Sequence, residues 1–139
     1  MHRFLVVFDT NVIVSALLAK NDDNNELRLL GYIDDKVIIP LYSVEIMKEY
    51  REVLSRKEFG FTKNSIANAI AVFQKKGILV NPKKLDIDFK DKSDLKFYEV
   101  VMEKRNNNAK LVTGNIKDYP VDKKVVTPKE LLKMIEKYV

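Results

Sequence analysis

The sequence predicts an α/β fold: a three-layer α/β/α sandwich with a central parallel sheet of about five strands. Short, continuously apolar runs such as Leu5 to Phe8 suit strands buried on both faces. They alternate with segments of helical periodicity, so successive strands must be joined by crossover helices. The chain has 139 residues. At roughly 100–200 residues per domain, that predicts a single domain spanning 1–139, large enough for a proper core.

The elements follow in order. Leu5 to Phe8 is a strand closed by Asp9, and Asn11 to Ala19 a helix broken by the polar cluster Asn21 to Asn25. Leu27 to Ile33 reads as a second short helix, and Val37 to Ile39 as a strand stopped by Pro40. Ser43 to Arg56 and Asn64 to Lys76 are helices, the latter ended by Gly77 as a C-cap. Ile78 to Val80 is a strand stopped by Pro82, and Lys83 to Lys92 a polar loop. Ser93 to Arg105 is a helix, Lys110 to Thr113 a strand, and Val125 and Val126 a short strand. Pro128 to Tyr138 is a terminal helix opened by its proline.

Composition narrows the chemistry. The chain has no Cys and one His, at position 2, which removes disulfides, thiol nucleophiles, Cys-based zinc sites and a Ser-His-Asp triad. Acid–base or metal chemistry must then rest mainly on carboxylates. No apolar run approaches a membrane span and no signal peptide is recognisable, so a cytoplasmic protein is expected. The formal charge of +5 is uneven. Residues 1–62 carry 8 Lys/Arg against 10 Asp/Glu, and residues 63–139 carry 17 against 10. A basic half of this kind suits an anionic partner such as nucleic acid, or simply a solvated surface.

Open parallel sheets bind ligands at the carboxyl ends of their strands. Four acids are candidates for that edge. Asp9 closes the first strand, where it could equally cap the following helix. Glu49 lies nearest the apolar stripe of Ile46, Met47, Tyr50, Val53 and Leu54, and its like-charged neighbour Glu45 at i,i+4 calls for a nearby cation. Asp94 precedes Phe97 and Tyr98 by three and four residues, which puts it on the inward face of its helix with Asp91 or Ser93 as cap. An inward carboxylate must be hydrogen-bonded, paired or metal-bound. Asp118 follows Gly114, read as a tight turn that leaves Thr113, Asn115 and Asp118 at the edge. Clustered carboxylates need cations, and oxygen ligands without His or Cys point to Mg²⁺ or Mn²⁺. Those ions serve phosphodiester hydrolysis, with the basic half holding the nucleic-acid backbone.

The ordered set Phe8-Asp9-Thr10-Asn11-Val12, Ser43 with Glu49-Tyr50-Arg51-Glu52-Val53-Leu54-Ser55-Arg56, Asp91 to Asp94 with Phe97-Tyr98, and Val112-Thr113-Gly114-Asn115 with Asp118-Tyr119-Pro120 resembles PIN-domain nucleases. The nearest branch is the VapC-like toxins of prokaryotic toxin–antitoxin pairs, whose Val126-Thr127-Pro128 ending is also similar. The resemblance covers essentially the whole chain. It implies an acidic quartet of Asp9, Glu49, Asp94 and Asp118 holding one or two divalent ions, supported by Asn11, Thr113 and Asn115. Asp91 stands as an alternative to Asp94, and the fourth acid is variable in that branch. It further implies metal-dependent cleavage of single-stranded RNA, a homodimer and neutralisation by a small antitoxin protein. A haloacid-dehalogenase-type phosphatase also sets an Asp after its first strand, but uses Asp-x-Asp where this chain has Asn11. From another class, the runner-up is a PIN-like module that binds RNA or protein without cutting.

Overall fold

A computed structural model describes residues 2–139. Among them, five strands form one parallel sheet in the order β3-β2-β1-β4-β5: β1 (Phe4–Phe8), β2 (Ile38–Tyr42), β3 (Ile78–Leu79), β4 (Lys110–Val112) and β5 (Val125–Val126). The helices are α1 (Thr10–Leu18), α2 (Asn25–Asp34), α3 (Val44–Leu54), α4 (Lys63–Lys76), α5 (Leu95–Glu103) and α6 (Pro128–Glu136). The architecture is the predicted α/β/α sandwich. No helix among the described residues is long and apolar enough to cross a membrane.

β1 is central, and its Val6, Val7 and Phe8 are wholly buried. α5 packs over β1, β2 and β4. Phe8, Tyr50, Phe73 and Phe97 bring β1, α3, α4 and α5 into one aromatic cluster, with ring centroids 5.4 to 6.4 Å apart. α2 packs against α1 and α6. The Tyr50 hydroxyl donates to the Phe8 carbonyl at 2.5 Å, which fixes α3 to the carboxyl end of the central strand. The predicted polar loop before α5 is pinned rather than free. The buried Glu99 carboxylate accepts the Leu85 amide at 2.7 Å, and Glu103 accepts the Lys83 amide at 3.0 Å.

One proline expectation needs correcting, and one glycine expectation holds for an added reason. Pro40 does not stop its strand: β2 runs through it to Tyr42, with Pro40 paired to Val6. Residues two apart in a parallel strand face the same neighbour, and Tyr42 faces β3, its carbonyl accepting from Val80 at 2.7 Å. Pro40 therefore faces β3 as well, and β3 pairs only from Leu41 onward, so no ladder bond is lost. Gly77 does end α4, but with extended backbone (φ −102°, ψ −176°) rather than a left-handed turn. A Cβ there would lie 2.5 Å from the carbonyl oxygens of both Phe73 and Pro40, so the position needs a bare backbone. Helices α3, α5 and α6 are also shorter than predicted. The first turn expected of α5 is a 3-10 turn, Lys92–Asp94, and α6 stops at Glu136.

Gly77→Ala should therefore destabilise the fold by about 1–3 kcal/mol, since two backbone carbonyls must shift. Urea unfolding measures this, and an unchanged midpoint would show that the β2–α4 contact yields.

Candidate active site

Asp9 stands where the strand order reverses. β2 lies on one side of β1 and β4 on the other, and the register Phe8↔Val112 sets Asp9 beside Thr113. The Asp9 amide donates to the Val112 carbonyl at 3.0 Å. Its carboxylate does not cap α1. Instead Oδ2 accepts hydrogen bonds from the Thr113 hydroxyl at 2.8 Å and the Tyr119 hydroxyl at 2.9 Å. Asp9 is 5% exposed. Burial raises its pKa above the ordinary carboxylate value, the two hydroxyls and the Asn11 amide oppose the rise, and the charge of Glu49 adds to it. Burial and the charges of Asp9 and Asp94 also drive the Tyr119 phenol upward, so it remains a hydrogen-bond donor at any ordinary pH.

Glu49 projects from α3 toward the same edge. Its Oε2 accepts from the Thr10 hydroxyl, and its Oε1 meets the Lys96 ammonium at 2.6 Å. Lys96 also donates to the Ser93 carbonyl and lies 5.6 Å from the Phe97 ring centre. The cation that the Glu45–Glu49 spacing calls for is thus present twice, as Lys96 on Glu49 and Lys84 on Glu45.

Asp94 ends the 3-10 turn that leads into α5 and makes no capping bond. Its pKa is pushed up to about 7, first by burial and then by the charges of Asp9, Asp91, Asp118 and Glu49. The charges of the other three expected acids are thus all felt at Asp94. Asp91 is exposed, and its Oδ1 accepts from the Ser93 amide at 2.9 Å and hydroxyl at 2.8 Å, bonds that hold its pKa low. The cap is Asp91, and the inward acid is Asp94. Asp118 is partly exposed in the turn Ile116–Asp118, with Lys90 at 4.0 Å.

Of the supporting residues, Thr113 touches Asp9 directly. Asn11 accepts the Gly114 amide at 3.2 Å, tying the loop after β4 to α1. The Asn115 amide donates to the Thr113 hydroxyl oxygen at 3.0 Å, while its side chain is exposed. Gly114 needs no left-handed backbone here: a Cβ would meet Asn11 Oδ1 at an ordinary 3.5 Å. Sequence reasoning missed Thr10, Lys96 and Tyr119 as site neighbours. Their only signal is adjacency, each lying one or two positions from an acid.

The donor set is all oxygen, which fits a hard divalent cation. Among the described residues, however, no three carboxylates stand close enough to make a ready cage. Glu49 is held by Thr10 and Lys96, and an ion would have to compete with that lysine to recruit it.

A family model described as "PIN domain" matches residues 5–117. No curated protein matches the chain. The matched span includes Asp9, Glu49 and Asp94 and stops one residue short of Asp118.

The raised pKa of Asp94 has a thermodynamic sign. The folded chain keeps this proton up to about pH 7, whereas the unfolded chain releases it near 3.8. Ionisation of Asp94 thus works against folding increasingly across that window, and fully above it. In chelator, Asp94→Asn should stabilise the protein at about pH 8 by ~1 kcal/mol, a value reduced from the nominal shift because the group is partly solvated. The gain should vanish at about pH 4. Thermal melts across this range measure it, and a loss of stability at the higher pH would contradict the site electrostatics.

Proposed function

The chain belongs to the PIN-domain family, whose members are generally nucleases, and from that premise we propose that it is a metal-dependent endoribonuclease cleaving single-stranded RNA. What supports this reading is that the charges of Asp9, Glu49 and Asp118, from three other segments, all bear on Asp94 beside the switch point of the sheet. PIN nucleases typically use divalent metals. Asp9, Glu49, Asp94 and Asp118 would hold Mg²⁺ or Mn²⁺, which when bound supplies activation of water and neutralisation of charge on the phosphate. The chain's own contribution is positional. Thr113 and Tyr119 orient the Asp9 carboxylate, and Asn11 holds the loop after β4 in place. Asp94 must lose its proton to serve as a ligand, so metal and proton compete for it and metal affinity should weaken as pH falls.

The reading extends to the finer points that the resemblance implies. The chain, a single domain over 1–139, would be the cytoplasmic toxin of a toxin–antitoxin pair, a homodimer neutralised by a small antitoxin. A small reading frame abutting its gene would support the pairing. One observation favours the binding-module alternative: Lys96 already neutralises Glu49.

Cleavage of labelled single-stranded RNA separates the two readings. Asp9→Asn and Asp94→Asn should abolish cutting while the fold persists, and Asp118→Asn should be milder. Thr113→Val and Tyr119→Phe should lower the rate by about 10–100-fold through loss of orientation. Chelator should silence the wild type and Mn²⁺ restore it. Undiminished cutting in chelator, or by Asp9→Asn, would refute the metal-nuclease reading, and no cutting with either ion would put the binding module first.

A further inference from the structure

We propose that the lysines of α6, and the aromatic, basic cavity to which they lead, form a track for single-stranded nucleic acid running away from the candidate active site. Nucleic acid is taken as the ligand on the strength of the nuclease reading. The track itself stands on separate residues.

α6 joins the two ends of the sheet. It begins immediately after β5, whose Val126 carbonyl accepts the Thr113 amide at 3.0 Å, so its first turn lies at the edge that carries Asp9. It ends at the opposite edge, where Tyr138 stacks on His2 at 4.1 Å and meets Phe4, the first residue of β1, at 5.9 Å. Lys129, Lys133 and Lys137 recur every four residues along this helix, and all are exposed. At 1.5 Å per residue they cover about 12 Å. None of them makes an ion pair among the described residues. The helix's two acids are otherwise engaged: Glu130 accepts the Thr127 amide at 2.8 Å in the capping box, and Glu136 pairs with Arg28 at 3.2 Å.

The simplest alternative is that these lysines complement the helix dipole. That explains Lys133 and Lys137 near the carboxyl end. It fails for Lys129, which lies in the first turn, where a cation is disfavoured.

At the far end lies a cavity of about 260 Å³ lined by Arg3, Lys110 and Lys137 together with His2 and Tyr138, and by no Asp or Glu. Cations that follow a sugar–phosphate backbone, ending at exposed aromatic rings on which a base can stack, are the two components of a single-strand platform. An acidic peptide would use the cations but has no need of the rings.

Binding in chelator, where cutting is not required, tests the track. The probes are a roughly 20-nucleotide single-stranded RNA and a tetranucleotide that fits the acidic edge alone. Lys129→Gln/Lys133→Gln should weaken the long probe about tenfold and flatten its salt dependence by about 0.7 in log–log slope per lysine. Tyr138→Ala should weaken the long probe without changing the slope. Cleavage of the tetranucleotide, read separately with Mn²⁺ present, should be unchanged in both variants. Lys129→Arg/Lys133→Arg should keep wild-type affinity, which separates lost charge from lost fold. Long-probe affinity equal to wild type in the Gln and Ala variants would overturn the proposal. So would a polyglutamate peptide that binds this surface more tightly than the RNA does, because the partner would then be an acidic protein. If the protein cuts no RNA yet the long probe still depends on these residues, the nuclease reading fails and the track stands.

Discussion

Two hydroxyls converge on one oxygen of Asp9, and this pair of hydrogen bonds joins parts of the chain 104 and 110 positions apart. A carboxylate buried at the end of a central strand is very costly unless something satisfies it. Thr113 can do so because the β1–β4 register brings it alongside. Tyr119 can do so because the turn Ile116–Asp118 folds its ring back into the core, where it meets Phe89 at 5.6 Å. Neither hydroxyl reaches Asp9 unless the sheet and the loop after β4 are both formed. The polar centre and the apolar scaffold are therefore one structure.

The negative charge at this edge is managed by two lysines placed with different purposes. Lys84 bridges Glu45 and the buried Glu99, helping to seat the loop before α5. Lys96 sits at the acidic edge itself, on Glu49, with 18% of its side chain exposed. Asp94 receives no such partner, and burial, with the neighbouring charges second, pushes its pKa up to about 7. One acid is neutralised by a lysine and another is shifted toward its protonated form, so the repulsion among these carboxylates is eased in two chemically distinct ways.

Much of this was legible in the sequence. Alternating apolar runs and helical stripes gave the layers, and the spacing of Asp94 to Phe97 and Tyr98 put that acid inward, as found. What could not be read depended on partners distant in sequence. Pro40 looks like a strand stop until the direction in which its missing N–H faces is known, and that depends on the length of β3. Gly77 reads as a helix cap and is one, yet part of the reason for it is a carbonyl contributed by the distant Pro40. Lys96 looks like any surface lysine, since nothing local shows that its ammonium lies over Phe97 and reaches another helix. Asp9 was balanced between cap and site because both roles use the same residue at the same place. Only the positions of Thr113 and Tyr119 separate them.

The order in which the chain emerges during synthesis gives the β1–β4 pairing a temporal meaning. Asp9 and Glu49 leave the ribosome early, but the strand that places Thr113, and the turn that brings Tyr119, come about a hundred residues after Asp9. β1 can pair with β2 in the meantime, but its other edge and its terminal carboxylate must await the last third of the chain. The acidic centre is therefore among the last features to be completed. A partly made chain, still attached to the message that encodes it, carries Asp9 and Glu49 without the hydroxyls of Thr113 and Tyr119 that hold Asp9 in place.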